Sequence, residues 1–202
     1  YKEDEEEIPE NEDTFIRSFK EEVESKYNII NSLETELPQI RLIPDSAFSS
    51  IIEAETRMQD DKRSFDSAPT IVAYSKSLEL TLRHLVFGNF RYEVLQLPNS
   101  DTLIEEAKDD SKINQFRGLI NFLKSEKIEL GGMHQSLLLA NGKTAKRVKI
   151  LGLLQSFLVS RFPNLLEEKS LSELKSLVLD YRNEAAHERS FDHSELKFVR
   201  SQ

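Results

Sequence analysis

Apolar residues along the chain recur at steps of three and four positions, the period of a helix that is buried on one face. One such stripe consists of Ile71, Tyr74, Leu78, Leu82 and Leu85. A second consists of Leu171, Leu174, Val178, Tyr181 and Ala185. Sustained alternation of apolar and polar residues, the mark of a half-buried strand, does not occur. The pattern therefore predicts an all-α fold.

Helix-start signals and apolar stripes together predict seven helices and a short last helix from His193. The predicted ranges are 14–33, 45–61, 67–87, 111–127, 133–140, 144–161 and 170–187. Ser170, followed three residues later by Glu173, is typical of a capping box. Segment 91–110 and the Gly131-Gly132 pair carry turn residues, and they are predicted to be loops or insertions between core helices. Segment 144–161 is apolar on much of its circumference, so we expect it to be central.

Composition narrows the chemistry that the chain can perform. The 202 residues include only 6 Gly and 6 Pro, as expected for a helical protein, and no Cys. Without cysteine, disulfide scaffolds, thiolate metal sites and cysteine nucleophiles are excluded. Catalysis would have to come from His, carboxylate, hydroxyl or Arg side chains.

Charge divides the chain into a tail and a body. Eight acids and one lysine lie in residues 1–13, so residues 1–12 are predicted to be a disordered acidic tail. Residues 14–202 carry 26 basic and 28 acidic side chains, a balance that permits an anionic ligand. We expect residues 13–66 to be an N-terminal helical segment and 67–202 the main helical domain.

The chain shows no feature of a membrane protein. The longest apolar run, 150–154, is far too short to span a bilayer, and the N-terminus is acidic. A cytoplasmic protein is the expectation. Because the first residue is Tyr rather than Met, the sequence is expected to be part of a longer chain or a processed product.

The most informative stretch reads Arg182-Asn183-Glu184-Ala185-Ala186-His187 near the end of the last long predicted helix. On a regular helical wheel, Asn183, Ala186 and His187 lie beside the apolar stripe, with Arg182 between the two faces. A cation, an amide, an imidazole and a small residue thus share one face. Ala186 would let another helix approach closely.

This stretch resembles the Arg-x4-6-His signature of the HEPN superfamily, the higher eukaryotes and prokaryotes nucleotide-binding domains. The polar Asn183 directly after the arginine and the late position in an all-α chain match the family pattern. The resemblance covers about residues 67–198, and it implies a small helical bundle with additional N-terminal helices and loop insertions. It further implies a composite, metal-independent ribonuclease site at a homodimer interface. Glu79 would be the acidic residue that such proteins often carry on an earlier helix facing the Arg–His helix.

The residue types suit RNA cleavage by the 2′-hydroxyl of the substrate, with no cofactor and no metal. His187 can transfer a proton near neutral pH, and Arg182 can stabilise charge that develops on the phosphate. Asn183 could orient His187 or hold a phosphate or ribose. A symmetric dimer would supply both an acid and a base, and the products would be a 2′,3′-cyclic phosphate and a 5′-hydroxyl.

One dense cationic patch could guide an RNA backbone towards this face. It consists of Lys143, Lys146, Arg147 and Lys149, and Arg189 could add to it. The alternative is that these side chains form an ordinary solvated helix face. The residues of the motif also have purely structural explanations. Arg182 and His187 could interact with the helix dipole, and Glu79 with Arg83 could be a surface i,i+4 ion pair.

Two functions remain open from the sequence. The first is an endoribonuclease in a toxin or antiviral-defence setting, acting on RNA as a homodimer and controlled by a fused or separate sensor or regulatory protein. The second is a catalytically silent helical module that dimerises or binds a ligand or partner within a larger assembly.

Overall fold

A computed structural model describes residues 10–60, 66–110, 113–186 and 190–201. The described residues form helices and turns without any strand, so the predicted all-α class is confirmed. They divide into two compact units, Tyr1–Leu42 and Ile43–Gln202. Within the described ranges, no helix has the length and apolar character needed to cross a membrane.

The first unit contains the long helix α1, Glu10–Glu36, and a 3₁₀ turn, Ile40–Leu42. The predicted acidic tail lies outside the described residues up to position 9, while α1 already includes residues 10–12. Pairs of opposite charge one turn apart support the exposed face of this helix, while Ile29 and Leu33 are buried. Lys26 Nζ, for example, donates to Glu22 Oε1 at 2.6 Å.

The second unit contains the remaining α-helices. They are α2 (Asp45–Asp60), α3 (Ala68–Thr81), α4 (Asn89–Leu95), α5 (Ser100–Lys108), α6 (Ile113–Ser125), α7 (Leu130–Asn141), α8 (Lys149–Arg161), α9 (Glu168–Ser176), α10 (Asn183–Ala186) and α11 (His193–Ser201). A π-helical turn, Leu82–Gly88, joins α3 to α4, and another, Leu177–Arg182, joins α9 to α10. We call the first continuous helix, 68–95, the Glu79 helix and the second, 168–186, the Arg182 helix.

The prediction of a loop over 91–110 is wrong. The Glu79 helix continues to Leu95, and α5 occupies Ser100–Lys108. Turn residues mark only the short link between the two helices, whereas Leu103, Ile104 and Ala107 in α5 are buried in the core. The apolar spacing of α5 extends over one short helix only. The turn-forming residues Pro98, Asn99 and Ser100 therefore dominate the sequence pattern of this segment.

The prediction of a turn at Gly131-Gly132 is also wrong, because both glycines lie inside α7. A Cβ placed on Gly118 of α6 would lie 3.3 Å from the Cα of Gly132. The glycines therefore allow α6 and α7 to approach closely rather than reversing the chain. The sequence offers no local sign that separates these two uses of glycine.

Helix starts agree with the sequence in part. α3 begins where the Ser67-Ala68-Pro69 signal predicts, although the Asp66 carboxylate, not Ser67, accepts the Ala68 N–H at 3.0 Å. The capping box at Ser170 is wrong, since α9 already begins at Glu168. Predicted helix 144–161 is interrupted: Lys143–Lys146 is a 3₁₀ turn, and α8 begins only after extended Val148.

The main core of the second unit lies among the Glu79 helix and α5 to α9. Its largest fully buried side chains are Phe87, Phe90, Phe116, Leu119, Leu123, Leu130, Met133, Leu137, Ile150 and Leu151. Four residues of α8, Ile150, Leu151, Leu154 and Leu158, have no exposed surface. The predicted central position of this helix is thus confirmed.

A second apolar cluster positions the Arg182 helix. Its buried members are Ala68, Ile71, Leu177, Phe191, Leu196 and Val199. The ring of Tyr181 lies 5.9 Å from that of Phe191 and 5.7 Å from that of Phe198, so aromatic contacts join the Arg182 helix to the C-terminal segment and α11. These contacts hold Tyr181, the residue directly before Arg182, in place.

A carboxylate of α2 accepts hydrogen bonds from both α3 and α11. Tyr74 Oη donates to Glu55 Oε1 at 2.8 Å, and Arg200 Nε donates to the same oxygen at 2.7 Å. Burial and the neighbouring Glu55 charge raise the pKa of Tyr74, so this hydroxyl keeps its proton. The helix that carries Glu79 is thereby held at its N-terminal half.

His134 is a buried histidine on α7 whose Nε2 has no hydrogen-bond partner among the described residues. Burial lowers its pKa, and the positive charge of Lys175 lowers it further, while a hydrogen bond to the backbone of Leu171 acts in the opposite direction. The folded protein therefore favours the neutral imidazole.

We predict that His134 makes the protein less stable in mild acid. The unfolded chain binds a proton at this side chain below about pH 6.5, whereas the folded protein resists it, so stability falls as pH decreases through that value. Urea unfolding of the wild type and of His134→Gln at several pH values measures the difference. Parallel pH profiles for the two proteins would contradict the prediction.

Candidate functional site

Glu79 and Arg182, which come from distant parts of the sequence, lie together in the second unit. Nη2 of Arg182 is 3.7 Å from Oε2 of Glu79. The Glu79 side chain is only 17 % exposed and that of Arg182 is 33 % exposed. The juxtaposition of an acidic residue on an earlier helix with the motif arginine, expected from the sequence, is therefore present.

A second guanidinium, Arg83, contacts the other oxygen of the same carboxylate. Arg83 Nη2 donates to Glu79 Oε1, and it also donates to the carbonyl oxygen of Ile128 at 2.8 Å. A surface i,i+4 ion pair is the alternative that the sequence offers for Glu79 and Arg83, yet the pair is half-buried and its carboxylate is shared with Arg182. Arg83 is the site residue that sequence reasoning missed, and its spacing from Glu79 was the available signal.

The three side chains form a cluster with one more positive than negative charge. One carboxylate cannot neutralise two guanidinium groups, and all three groups are partly removed from water. An anion near Arg83 and Arg182 would complete the charge balance. Guanidinium groups bind phosphate oxygens with two parallel hydrogen bonds, so a phosphate is the anion that this cluster suits best.

Both π-helical turns of the described chain adjoin this cluster. Leu82–Gly88 begins three residues after Glu79 and contains Arg83, and Leu177–Arg182 ends on the motif arginine. A π-helical turn inserts a residue into a helix, and such insertions occur frequently at functional sites. The two insertions change which side chains face the cluster.

The second π-helical turn also corrects the helical wheel drawn from the sequence. The Asn183 N–H donates to the carbonyl of Val178, five residues earlier, so the step of about 100° per residue does not hold there. Asn183 is partly buried, and its Oδ1 lies 3.4 Å from Nη1 of Arg182. The amide therefore adjoins the motif guanidinium.

Two predicted site residues cannot be placed. His187 and Arg189 lie outside the described residues, as does the side chain of Ala186. Their proposed roles stay predictions from the motif.

The cationic patch is exposed and borders α7 and α8. Lys143, Lys146, Arg147 and Lys149 are all exposed, and their segment packs on α7 and α8. Lys149 Nζ is 2.8 Å from Glu106 Oε2, which offsets its charge. In the described part of the chain, no hydrogen bond or ion pair joins this patch to Glu79, Arg182 or Asn183.

The described residues contain no group of three or more His, Cys, Asp or Glu side chains suited to hold a metal ion. The chemistry that the described cluster itself offers is electrostatic, because it consists of two guanidinium groups, an amide and a carboxylate that are all partly buried. Comparison of the chain with protein-family models, with curated proteins and with solved structures found no match.

We predict that Glu79→Ala destabilises the protein by about 1–3 kcal/mol, because it leaves two partly buried guanidinium groups without their carboxylate. The control is Glu53→Ala, which breaks an exposed Glu–Arg pair of the same spacing, with Arg57 Nη2 at 2.9 Å. This control should cost at most about 0.5 kcal/mol. Urea unfolding measures both losses, and equal losses would argue against a shared, buried carboxylate.

Proposed function

We propose that the chain is a HEPN-type endoribonuclease that acts without a metal and as a homodimer. The observation that carries the proposal is the contact between Arg182, on the last long helix, and Glu79, on an earlier core helix. A chance Arg-x4-His match would not require an acidic side chain from the Glu79 helix to lie against its arginine. The all-α fold is consistent with the same family.

The reaction would be transfer of the phosphate to the neighbouring 2′-hydroxyl of the RNA. A base removes the 2′-hydroxyl proton, the new P–O bond forms, and the 5′-oxygen leaves with a proton from an acid. His187 has a side chain suited to either proton transfer. Arg182 would stabilise the negative charge that builds on the phosphate oxygens in the transition state.

Glu79 and Asn183 would position the catalytic groups. Glu79 holds Arg182 from one side, and the Asn183 amide lies 3.4 Å from its Nη1. A guanidinium held by two partners loses less conformational freedom when it binds a phosphate. These residues are positioning residues in the proposal, because they act through Arg182.

A second copy of the chain would complete the site. One protomer provides one motif histidine, whereas the reaction needs both an acid and a base. A twofold-symmetric dimer supplies the second imidazole from the partner copy, so the chain needs only one motif histidine. The small Ala186 beside His187 would let the two Arg182 helices approach closely.

The cationic patch would attract the RNA backbone over a distance rather than touch the cleaved phosphate. Three of its members, Lys143, Lys146 and Arg147, are exposed and belong to no ion pair within the described ranges. Their attraction for phosphate would be salt-dependent. A toxin or antiviral-defence role, with a sensor or regulatory protein as partner, is the setting that we propose for the activity.

We predict that purified protein cuts end-labelled RNA in excess EDTA and that His187→Ala and Arg182→Ala each abolish cutting. The products should carry a 5′-hydroxyl, which a polynucleotide kinase can label without prior phosphatase treatment. Activity should rise more steeply than in proportion to protein concentration where monomers and dimers coexist. Arg117→Ala, which removes an exposed arginine of α6, is the matched control and should cut normally.

The composite site has a separate test. Adding excess His187→Ala protein should lower the cleavage rate of the wild type if two copies share a site and exchange subunits. Cleavage that EDTA stops, or that survives both motif substitutions, would contradict the proposal. Absence of cleavage by monomer and dimer alike would favour the catalytically silent module instead.

We further predict that the combined variant Lys143→Gln, Lys146→Gln and Arg147→Gln binds RNA with a weaker salt dependence. Each lost phosphate contact lowers the slope of log K against log salt by about 0.7 for a single strand, so three contacts give about 2. The control removes the same charge from α1 through Arg17→Gln, Lys20→Gln and Lys26→Gln. Equal slopes for the two variants would show that the patch makes no such contacts.

A further inference from the structure

A groove of about 490 Å³ opens beside Arg83 in the second unit. We call it the Tyr92 groove, and the lining residues that matter here are Leu80, Arg83, His84, Arg91, Tyr92 and Leu95. All six belong to the Glu79 helix, at or near its π-helical turn. The groove is therefore built on the same rigid element that carries Glu79.

The polar side of the Tyr92 groove favours an anion. Arg83, His84 and Arg91 line it, and the one acidic lining residue, Glu126, is 2.8 Å from Nη1 of Arg91. Arg83 contacts both Glu79 and Ile128 through Nη2. Its Nη1 makes no hydrogen bond among the described residues and is not buried, so this donor is available to a ligand.

The apolar side of the groove carries an exposed aromatic ring. Tyr92 is 67 % exposed, and Leu80 and Leu95 line the same groove. An exposed ring offers a face on which a flat apolar partner can stack. A nucleobase is such a partner, because every base offers a π-face for stacking.

A second groove extends the path for an elongated ligand. It has a volume of about 410 Å³ and shares Arg83 and Glu126 with the Tyr92 groove. Lys127 and Asn121 supply further hydrogen-bond donors along it. Arg83 therefore borders two adjoining grooves and, through Glu79, adjoins Arg182. This continuity favours a strand of nucleotides over a single mononucleotide.

We infer that the Tyr92 groove is a binding subsite for one unpaired nucleotide of a single-stranded RNA. The inference rests on the proposed function and names the form of its substrate. The base stacks on Tyr92, and the adjoining phosphate binds Arg83. A base inside a duplex cannot reach the ring, because it would have to leave its stack and its pairing partner.

The test is binding of a short, 5′-fluorescein-labelled single-stranded RNA, measured by fluorescence anisotropy. The parent protein is His187→Ala, so that cleavage does not consume the probe. Adding Tyr92→Ala should raise Kd by about fivefold or more, the loss expected when one base stack is removed. Adding Tyr92→Phe should restore tight binding, since the ring is retained.

Two matched controls separate the groove from a general effect. Tyr27 is exposed to a similar degree, 64 %, so adding Tyr27→Ala should leave Kd unchanged. Arg83→Gln should lower the salt dependence of binding, whereas Arg117→Gln on α6 should not. Circular dichroism melting checks that each variant is folded. Tyr92 is exposed, so its substitution keeps the test valid even where Arg83→Gln is unstable.

The outcomes distinguish this inference from the proposed function. If Tyr92→Ala binds as tightly as its parent, the subsite is overturned even where the wild type cuts RNA. If binding depends on Tyr92 while the wild type never cuts RNA, the subsite stands and the ribonuclease proposal fails. A duplex of the same sequence that binds equally well, with the same loss on Tyr92→Ala, would also overturn the inference.

Discussion

One carboxylate shared by two guanidinium groups joins the elements that make up the candidate site. Glu79 is largely removed from water, so its charge must be compensated by neighbours. Arg83 comes from the same helix, while Arg182 comes from a helix a hundred residues later in the chain. The bond from Arg83 to the Ile128 carbonyl adds the link between α6 and α7. The Glu79 carboxylate and its two arginine partners thus connect three parts of the second unit.

Apolar packing positions the helices that carry these charges. Tyr181 packs against Phe191 and Phe198 immediately before Arg182, and Leu177 is buried with Ile71 of the Glu79 helix. Ion pairs at partly exposed positions add little stability by themselves. The charged cluster therefore depends on the second apolar cluster for its geometry, and it adds specificity of orientation to that packing.

The residue pattern predicted most helices correctly and failed where one residue type has two uses. The glycine pair at positions 131–132 predicts a turn, whereas the close approach of Gly118 and Gly132 shows its use in helix packing. Proline and asparagine near position 98 predict a long loop, although they occupy one short link. Such ambiguity is resolved only by neighbours that are distant in sequence.

The candidate site was predictable in its parts rather than in its arrangement. Arg182, Asn183 and Glu79 follow from the motif and its resemblance, and their mutual proximity agrees with that expectation. The i,i+4 spacing of Arg83 from Glu79 is a signal for this contact, but the same spacing occurs in ordinary surface ion pairs, so it does not identify a site residue. The π-helical turns left no recognisable mark in the spacing of apolar residues, since a single inserted residue changes the period over one turn only.

By itself, the sequence determined the helical class, the central position of α8 and the residue types available for chemistry. These properties depend on local periodicity and composition, which each segment carries within itself. Only the tertiary structure decided that Arg83 shares a carboxylate with Arg182 and that Tyr92 lines a groove beside them. Charge pairing and groove shape depend on which helices meet, and that meeting results from the packing of apolar faces that are far apart in the chain.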